Sequence, residues 1–256
     1  MYKNWRDLIK PKKVQVEAET LSSTYGKFVA EPFERGFGTT LGNSLRRVLL
    51  SSLQGGAICS VRIKGVLHEF SAIPGVTEDV TDIILNLKGV RLKLHGNEQR
   101  TVRIVHKGEG VIHARDILTD PNVEILNPDH HIATCSKDAN LEMEMVVKIG
   151  KGYVPADRNR DERSPVGTIP IDSIYSPINK VNFGVSNARV GQMTDYDKLT
   201  IELWTDGSVK PEDALAFAAK ILKDQLTIFI NFDEEAEEVE EFEQEEDRDM
   251  MKNDEN

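Results

Sequence analysis

The chain has 256 residues, 39% hydrophobic and 29% charged, with 32 basic and 43 acidic residues and a formal net charge of −11. That length fills one large domain or two small ones around a workable core, and no run of about 18 apolar residues exists to span a bilayer. The N-terminus MYKNWRDLIKPKK lacks the apolar stretch of a secretory signal, and Cys59 and Cys135 form no CxxC, so a reduced, cytoplasmic chain without disulfides is expected.

In chain order, VQVEAE (14–19) alternates apolar and polar residues, as a half-buried strand does. The stretch ERGFGTTLGNSLRRVLLSS (34–52) predicts a helix from Thr40, its N-cap, to Leu53. ICSVRIKG (58–65) alternates again. VTEDVTDIILNLKG places Val76, Val80, Ile83, Ile84 and Leu87 at helical spacing, closed by Gly89. LEMEMVVKIG (141–150) puts Leu141, Met143, Met145 and Val147 on one face of a strand. Residues 151–165, KGYVPADRNRDERSP, are polar and bounded by prolines, and predict a long exposed loop. KLTIELWTDG (198–207) is a strand ending in an Asp-Gly turn signal. KPEDALAFAAKILKDQLTIFI predicts a helix with Pro211 in its first turn, followed by Glu212 and Asp213, which suit a helix N-terminus. Strands and helices interleave without regular βαβ units, so the fold class is α+β.

Residues 233–256 carry 14 acidic and 2 basic side chains, which leaves 30 basic and 29 acidic in the body. The acidity is therefore local, and segment 235–256 is expected to be a disordered acidic tail or linker, because nothing offsets the entropy of ordering it.

The helix after the glycines has two faces. At about 3.6 residues per turn, Leu41, Leu45, Val48, Leu49 and Ser52 form one stripe, and Asn43, Arg46, Arg47 and Leu50 form the opposite one. The first docks on a core or a partner. The second sets a leucine between two arginines, a composition common at interfaces and also found on ordinary surface. Gly36, Gly38 and Gly42 give GxGxxxG with no following Lys-Ser or Lys-Thr, which matches neither a dinucleotide loop nor a P-loop. Those glycines instead allow a tight reversal and close approach of the helix start to another backbone.

EPFERGFGTTLGNSLRRVLLSSLQG resembles the signature of bacterial RNA polymerase alpha subunits, in their N-terminal assembly domain. So do GVLHEFSAIPGVTEDVTDIILNLKGV, GYVPA, IPIDSIYSPINKVNF and ARVGQMTDYDKLTIELWTDGSVKPEDAL, in the same order, over residues 8–232. The resemblance implies a scaffold: two copies dimerise, then bind the beta and beta-prime subunits. It implies a dimerisation domain from residues 1–52 plus 179–234, and an inserted, mostly β domain from 53–178 that contacts the large subunits. It also implies a dimer interface of Leu41, Leu45, Val48 and Leu49 with Leu215, Ala218, Leu222, Leu226 and Phe229, burying roughly 2,000 Å² or more. By the same resemblance Arg47 and Leu50 contact beta, with Arg46 as the neighbouring basic residue, and Asp82, Lys88, Ile171 and Asp172 contact large subunits. Arg189 matches a beta-prime position. Lys88 also suits plain helix C-terminal placement, and Asp172 suits capping or turn chemistry near Pro170 and Pro177.

Family members usually continue through a linker into a C-terminal DNA-contacting domain, and no second folded unit follows Phe232 here. Sequence-specific DNA binding is therefore not expected of this chain alone. No cofactor and no metal are expected. PDHH (128–131) lacks the three or four converging ligands zinc requires, and GxSxG, HExxH and paired carboxylates flanked by glycine are missing. The metal-binding acids of polymerisation must then lie in another subunit. A plastid-type equivalent subunit would read alike, and a stand-alone small-ligand enzyme is the remaining alternative, which requires a deep polar pocket.

Overall fold

The computed structural model describes residues 8–161, 163–190 and 193–230, so the acidic segment 235–256 lies outside the described residues. The strands are β1 (Gln15–Val16), β2 (Tyr25–Phe33), β3 (Gln54–Ile63), β4 (Leu92–Leu94), β5 (Arg100–Lys107), β6 (Gly110–His113) and β7 (Val123–Ile125). They continue as β8 (His131–Cys135), β9 (Asn140–Lys151), β10 (Tyr153–Val154), β11 (Thr168–Pro170), β12 (Ser173–Ile174), β13 (Ile178–Val190) and β14 (Met193–Thr205). The helices are α1 (Phe37–Ser52), α2 (Val80–Lys88), α3 (Ala156–Asn159) and α4 (Pro211–Leu226).

Two four-stranded antiparallel sheets organise these elements. The first runs β1-β2-β14-β13 and so combines strands from both ends of the described chain. The second runs β11-β3-β9-β5, from the middle of the chain. Short ladders β4–β7, β6–β8 and β10–β12 complete an α+β fold. The chain divides into two compact units at Ala219, inside α4, and every sheet belongs to the first.

The core around the second sheet follows from period-two alternation. Leu141, Met143, Met145 and Val147 of β9 are at most 1% exposed. They cluster with Val61, Ile63, Val102 and Ile104 of the flanking strands and with Val80, Ile83 and Leu87 of α2. Each such side chain contributes roughly 1.5–3 kcal/mol on burial, which pins the register, since a one-residue slip would turn them all to solvent.

Several local expectations are corrected. The 14–19 strand shrinks to two residues on an exposed sheet edge, with Val14 and Val16 52% and 38% exposed. Val76 lies before α2, bridging Cys135 in a strand-like contact; the helix starts after Asp79, whose carboxylate accepts the Asp82 N–H at 2.8 Å. Gly89 ends that helix with a right-handed φ of −81°, and its role is space, since a Cβ there would sit 2.6 Å from the His130 ring. The 151–165 loop contains β10 and α3, tied down where the Asn159 amide donates to the Ile171 carbonyl (2.7 Å) and to Ser173 Oγ (2.9 Å). The helix expected to reach Ile230 ends at Leu226 and tightens into a 3₁₀ turn over Thr227–Phe229.

Candidate functional site

The helix α1 begins three residues earlier than its sequence suggests, and Thr40 is not its cap. Gly36 heads it with φ 93°, a left-handed setting that costs glycine little, and contributes no capping side chain. The capping group comes instead from β14. Oδ2 of buried Asp197 accepts the N–H of Gly36 at 2.8 Å and of Gly38 at 3.0 Å. A carboxylate there satisfies two of the orphan N–H groups and complements the positive end of the helix. Thr40 turns inward on its own turn, its hydroxyl donating to the Gly36 carbonyl at 3.1 Å.

The glycines set how close the helix lies to the first sheet. A Cβ on Gly38 would come within 2.9 Å of Val185 Cγ1, and one on Gly42 within 2.5 Å of Phe183 Cδ2 and 2.9 Å of Leu199 Cδ1. Only glycine lets the α1 backbone approach β13 and β14 this closely. The close approach expected from the sequence is thus directed at a sheet, and Leu49, 0% exposed, continues the seated face.

The opposite face carries Asn43, Arg46, Arg47 and Leu50, all exposed, with Leu50 at 37%. Among the described residues, neither the Arg46 nor the Arg47 side chain has a hydrogen bond or ion pair within the chain. A leucine between two unengaged guanidinium forks, on a helix anchored by its far side, is suited to carboxylate-bearing protein surface.

Between these faces lies a half-buried row of Leu41, Leu45 and Val48, which Phe37, 44% exposed, extends by one turn. Phe37 escaped the sequence reading because the helix start was set at Thr40. On α4, Leu215 and Leu222 are half-buried, whereas Leu226 and Phe229 are 52% and 80% exposed. Phe217 and Ile228, not singled out from the sequence, are exposed large apolar residues of the same segment. Two expected dimer residues are corrected: Leu49 and Ala218 are 0% exposed in the single chain, so they hold its interior and offer a second copy no surface.

Of the residues expected to meet large subunits, the structure joins two. Lys88 Nζ lies 2.6 Å from Asp172 Oδ2, linking the end of α2 to the turn between β11 and β12. Asp172 Oδ1 also accepts the Ala156 N–H at 3.0 Å, so this carboxylate caps the short α3 from a distance. The Lys88 ammonium first, and the Ala156 N–H second, hold the Asp172 carboxyl below its usual range. Asp82 sits exposed at the other end of α2. Ile171 is a correction: it is 0% exposed inside the core, with its N–H on the Cys59 carbonyl at 2.8 Å, and cannot present a side chain to a partner. Arg189 is exposed near the end of β13.

The adjacent histidines His130 and His131 take different partners, the Asn86 carbonyl and the Glu78 carboxylate, each at 2.8 Å. Among the described residues no group of three or more His, Cys, Asp or Glu could hold a metal ion. Cys59 and Cys135 are buried free thiols, and burial pushes both up from the ordinary thiol value. The best-formed depressions among the described residues, about 750 and 700 Å³, open on the surface beside Leu67 and Val166. Beside the first, Arg62 and Arg103 both pair with Glu144 and Lys64 pairs with Glu142, and these cations hold both carboxyls below the usual glutamate range.

A family model described as the RNA polymerase Rpb3/RpoA insert domain matches residues 61–176. The chain is 81% identical over 251 residues to the DNA-directed RNA polymerase subunit alpha of Geobacter metallireducens, covering 98% of this chain and 74% of that protein. It is 78% identical over 237 residues to the subunit of the same name from Pelobacter propionicus, covering 93% of this chain and 70% of the relative. With that of Syntrophus aciditrophicus the identity is 59% over 246 residues, covering 94% and 71%.

Proposed function

The chain belongs to the family of bacterial DNA-directed RNA polymerase alpha subunits, and on that premise we propose how its surfaces assemble the enzyme. It is a scaffold subunit of that polymerase. It homodimerises, then gathers beta through one face of α1 and beta-prime through the β13 end that carries Arg189. It contributes no catalytic residue, and the nucleotidyl transfer occurs in the large subunits. The setting is the cytoplasm.

One observation carries this reading: α1 is anchored by its glycine face to its own sheet, and it turns Arg46, Arg47 and Leu50 outward with no partner for either guanidinium among the described residues. Such a helix is rigid on one side and unsatisfied on the other, as a docking element must be. Desolvated arginines surrounded by apolar contact are frequent interface hot spots. Lys88, Asp172 and Asp82 extend the docking surface from the second sheet, with the Lys88–Asp172 pair presented as a preformed unit.

The dimer reading rests on the half-buried row Leu41, Leu45 and Val48, with Phe37, and on the exposed apolar residues of α4 and the turn after it. Large apolar side chains in such density on a surface mark a protein contact. The domain division, 1–52 with 179–234 around an inserted 53–178, is supported by the strand sources of the two sheets and by the insert-domain match at 61–176, which falls inside the middle segment.

The test is co-elution with a bacterial beta subunit, with light scattering on every peak. Wild type is expected to run as a dimer and to carry beta. Arg47→Ala should stay dimeric and bind beta at least 30-fold more weakly, as loss of about 2 kcal/mol or more requires. A monomeric wild type, or beta binding indifferent to Arg47→Ala, would refute the proposal.

A further inference from the structure

We propose that Asp197 is a positioning residue for the beta-docking face of α1, an inference that rests on the docking role just given to Arg46, Arg47 and Leu50. The surface by which α1 sits on the first sheet is made by Gly38 and Gly42, which allow close approach but carry no side chain to key the helix against rotation or sliding. Gly36, at its head, has no capping side chain of its own. Near the first turn, the setting is fixed by Asp197 Oδ2, which receives the Gly36 and Gly38 N–H groups at 2.8 and 3.0 Å. At the other end Leu49 is the fully enclosed anchor.

The sheet is built to aim this carboxylate. The pairing of β14 with β2 shifts register between Asp197 and Leu199, with Asp197 opposite Phe33 and Leu199 opposite Ala30. Such an irregularity bends a strand and redirects a side chain. Here it occurs where β2 is about to turn through residues 34–36 into α1. Asp197 is itself buried, so little water competes for its oxygens and the two hydrogen bonds are retained.

The consequence is geometric. Arg46, Arg47 and Leu50 lie within about four turns of the capped end on one rigid helix, so a rotation or slide of that helix moves all three together relative to the rest of the docking surface. Loss of Asp197 should leave α1 helical and the second sheet untouched, while releasing the setting of the docking stripe.

The experiment measures affinity for a bacterial beta subunit with the full chain as wild type, Asp197→Asn, Asp197→Ala, Arg47→Ala and the Asp197→Ala/Arg47→Ala double variant. Amide hydrogen exchange is followed in parallel. Asp197→Ala, compared at a chain concentration where light scattering shows a dimer for both chains, is expected to weaken beta binding about tenfold and to raise exchange at residues 36–40, leaving β9 as in wild type. Asp197→Asn keeps an acceptor oxygen but loses the charge, and should fall between wild type and Asp197→Ala. In the Arg47→Ala background, Asp197→Ala should cost clearly less than its tenfold in wild type, because the Arg47 contact is already lost and only those of Arg46 and Leu50 remain to be mispositioned. Fully additive losses, or raised exchange with unchanged beta affinity, make Asp197 merely structural and overturn the proposal. Beta binding that ignores Arg47→Ala refutes the docking face itself, whereas binding that responds to Arg47→Ala and ignores both Asp197 variants refutes only the positioning role. Should Asp197→Ala fail to fold, the Asn variant alone decides by the same readouts.

Discussion

The seat of α1 is tested most directly by Gly42→Ala. Alanine is the better helix former by about 1 kcal/mol, so on helix propensity alone this change should stabilise the protein. The structure predicts the reverse. The new Cβ would stand 2.5 Å from Phe183 Cδ2 and 2.9 Å from Leu199 Cδ1. Carbon atoms rest about 3.5–4.0 Å apart, so the helix or the Phe183 ring must retreat by roughly 1 Å. Leu199 is 3% exposed and has nowhere to go. Overpacking of this kind costs about 1–3 kcal/mol. Net of the propensity gain, the variant should lose about 1 kcal/mol, seen as a fall in melting temperature of roughly 2–4 °C for a chain this size. Gly184→Ala is the control, because a Cβ there meets nothing within 4 Å and should change stability by no more than about 0.5 kcal/mol. Thermal unfolding would be followed by calorimetry at one fixed chain concentration, since dimerisation makes melting concentration-dependent. A Gly42→Ala chain that melts at or above wild type would show that helix and sheet are not in close contact, and the reasoning about α1 would fail with it.

Lys88→Ala should cost 1 kcal/mol or less, as expected for a half-exposed pair, and should let the Asp172 carboxyl rise toward its usual range in an NMR titration. The sign follows from the depressed value: this contribution is complete above the ordinary aspartate value near 3.9 and is lost as pH falls through the lower folded one, so an unmoved Asp172 in the variant contradicts it. Glu78 is pushed up by burial, but the Thr134 N–H at 2.6 Å, His131 and the Thr134 hydroxyl together bring it below the usual glutamate range. Glu78→Gln should therefore be about 1–2 kcal/mol less stable at neutral pH, with the gap closing as acid protonates the wild-type carboxylate below its ordinary value near 4.3; denaturation curves that stay parallel from neutral to acid pH would count against this account. Met145→Ala, at a position with 0% exposure in the middle of β9, should cost about 2–5 kcal/mol in chemical denaturation, and a loss under about 1 kcal/mol would mean that the core around the second sheet collapses to fill the gap.

Much of this was legible in the residues because the physics behind it is local. Alternation in LEMEMVVKIG marks its buried side without reference to any neighbour, and Met143 and Met145 are buried as that rule requires. Pro211 followed by two acids marks the start of α4 for equally local reasons. The two-faced character of α1 came from helical spacing alone, and the long blocks of family resemblance reached further than composition could.

What stayed hidden depends on partners far along the chain. Asp197 lies 161 residues from the glycine it caps, and nothing near it in sequence marks it as part of a helix terminus. The start of α1 was misplaced at Thr40 for that reason: local rules look for a capping side chain next to the helix, and this one arrives from a strand. Leu49, Ala218 and Ile171 show the same limit. Spacing assigns a residue to a face, but only packing decides whether that face meets the chain's own interior or a second molecule, and all three are enclosed. Hydrophobic spacing and turn chemistry were fixed by neighbours in sequence, so the chain alone determined its element types and its α+β class. The seat of the docking helix and the surfaces left for partners were decided by long-range burial and hydrogen bonding, which exist only once both sheets have formed.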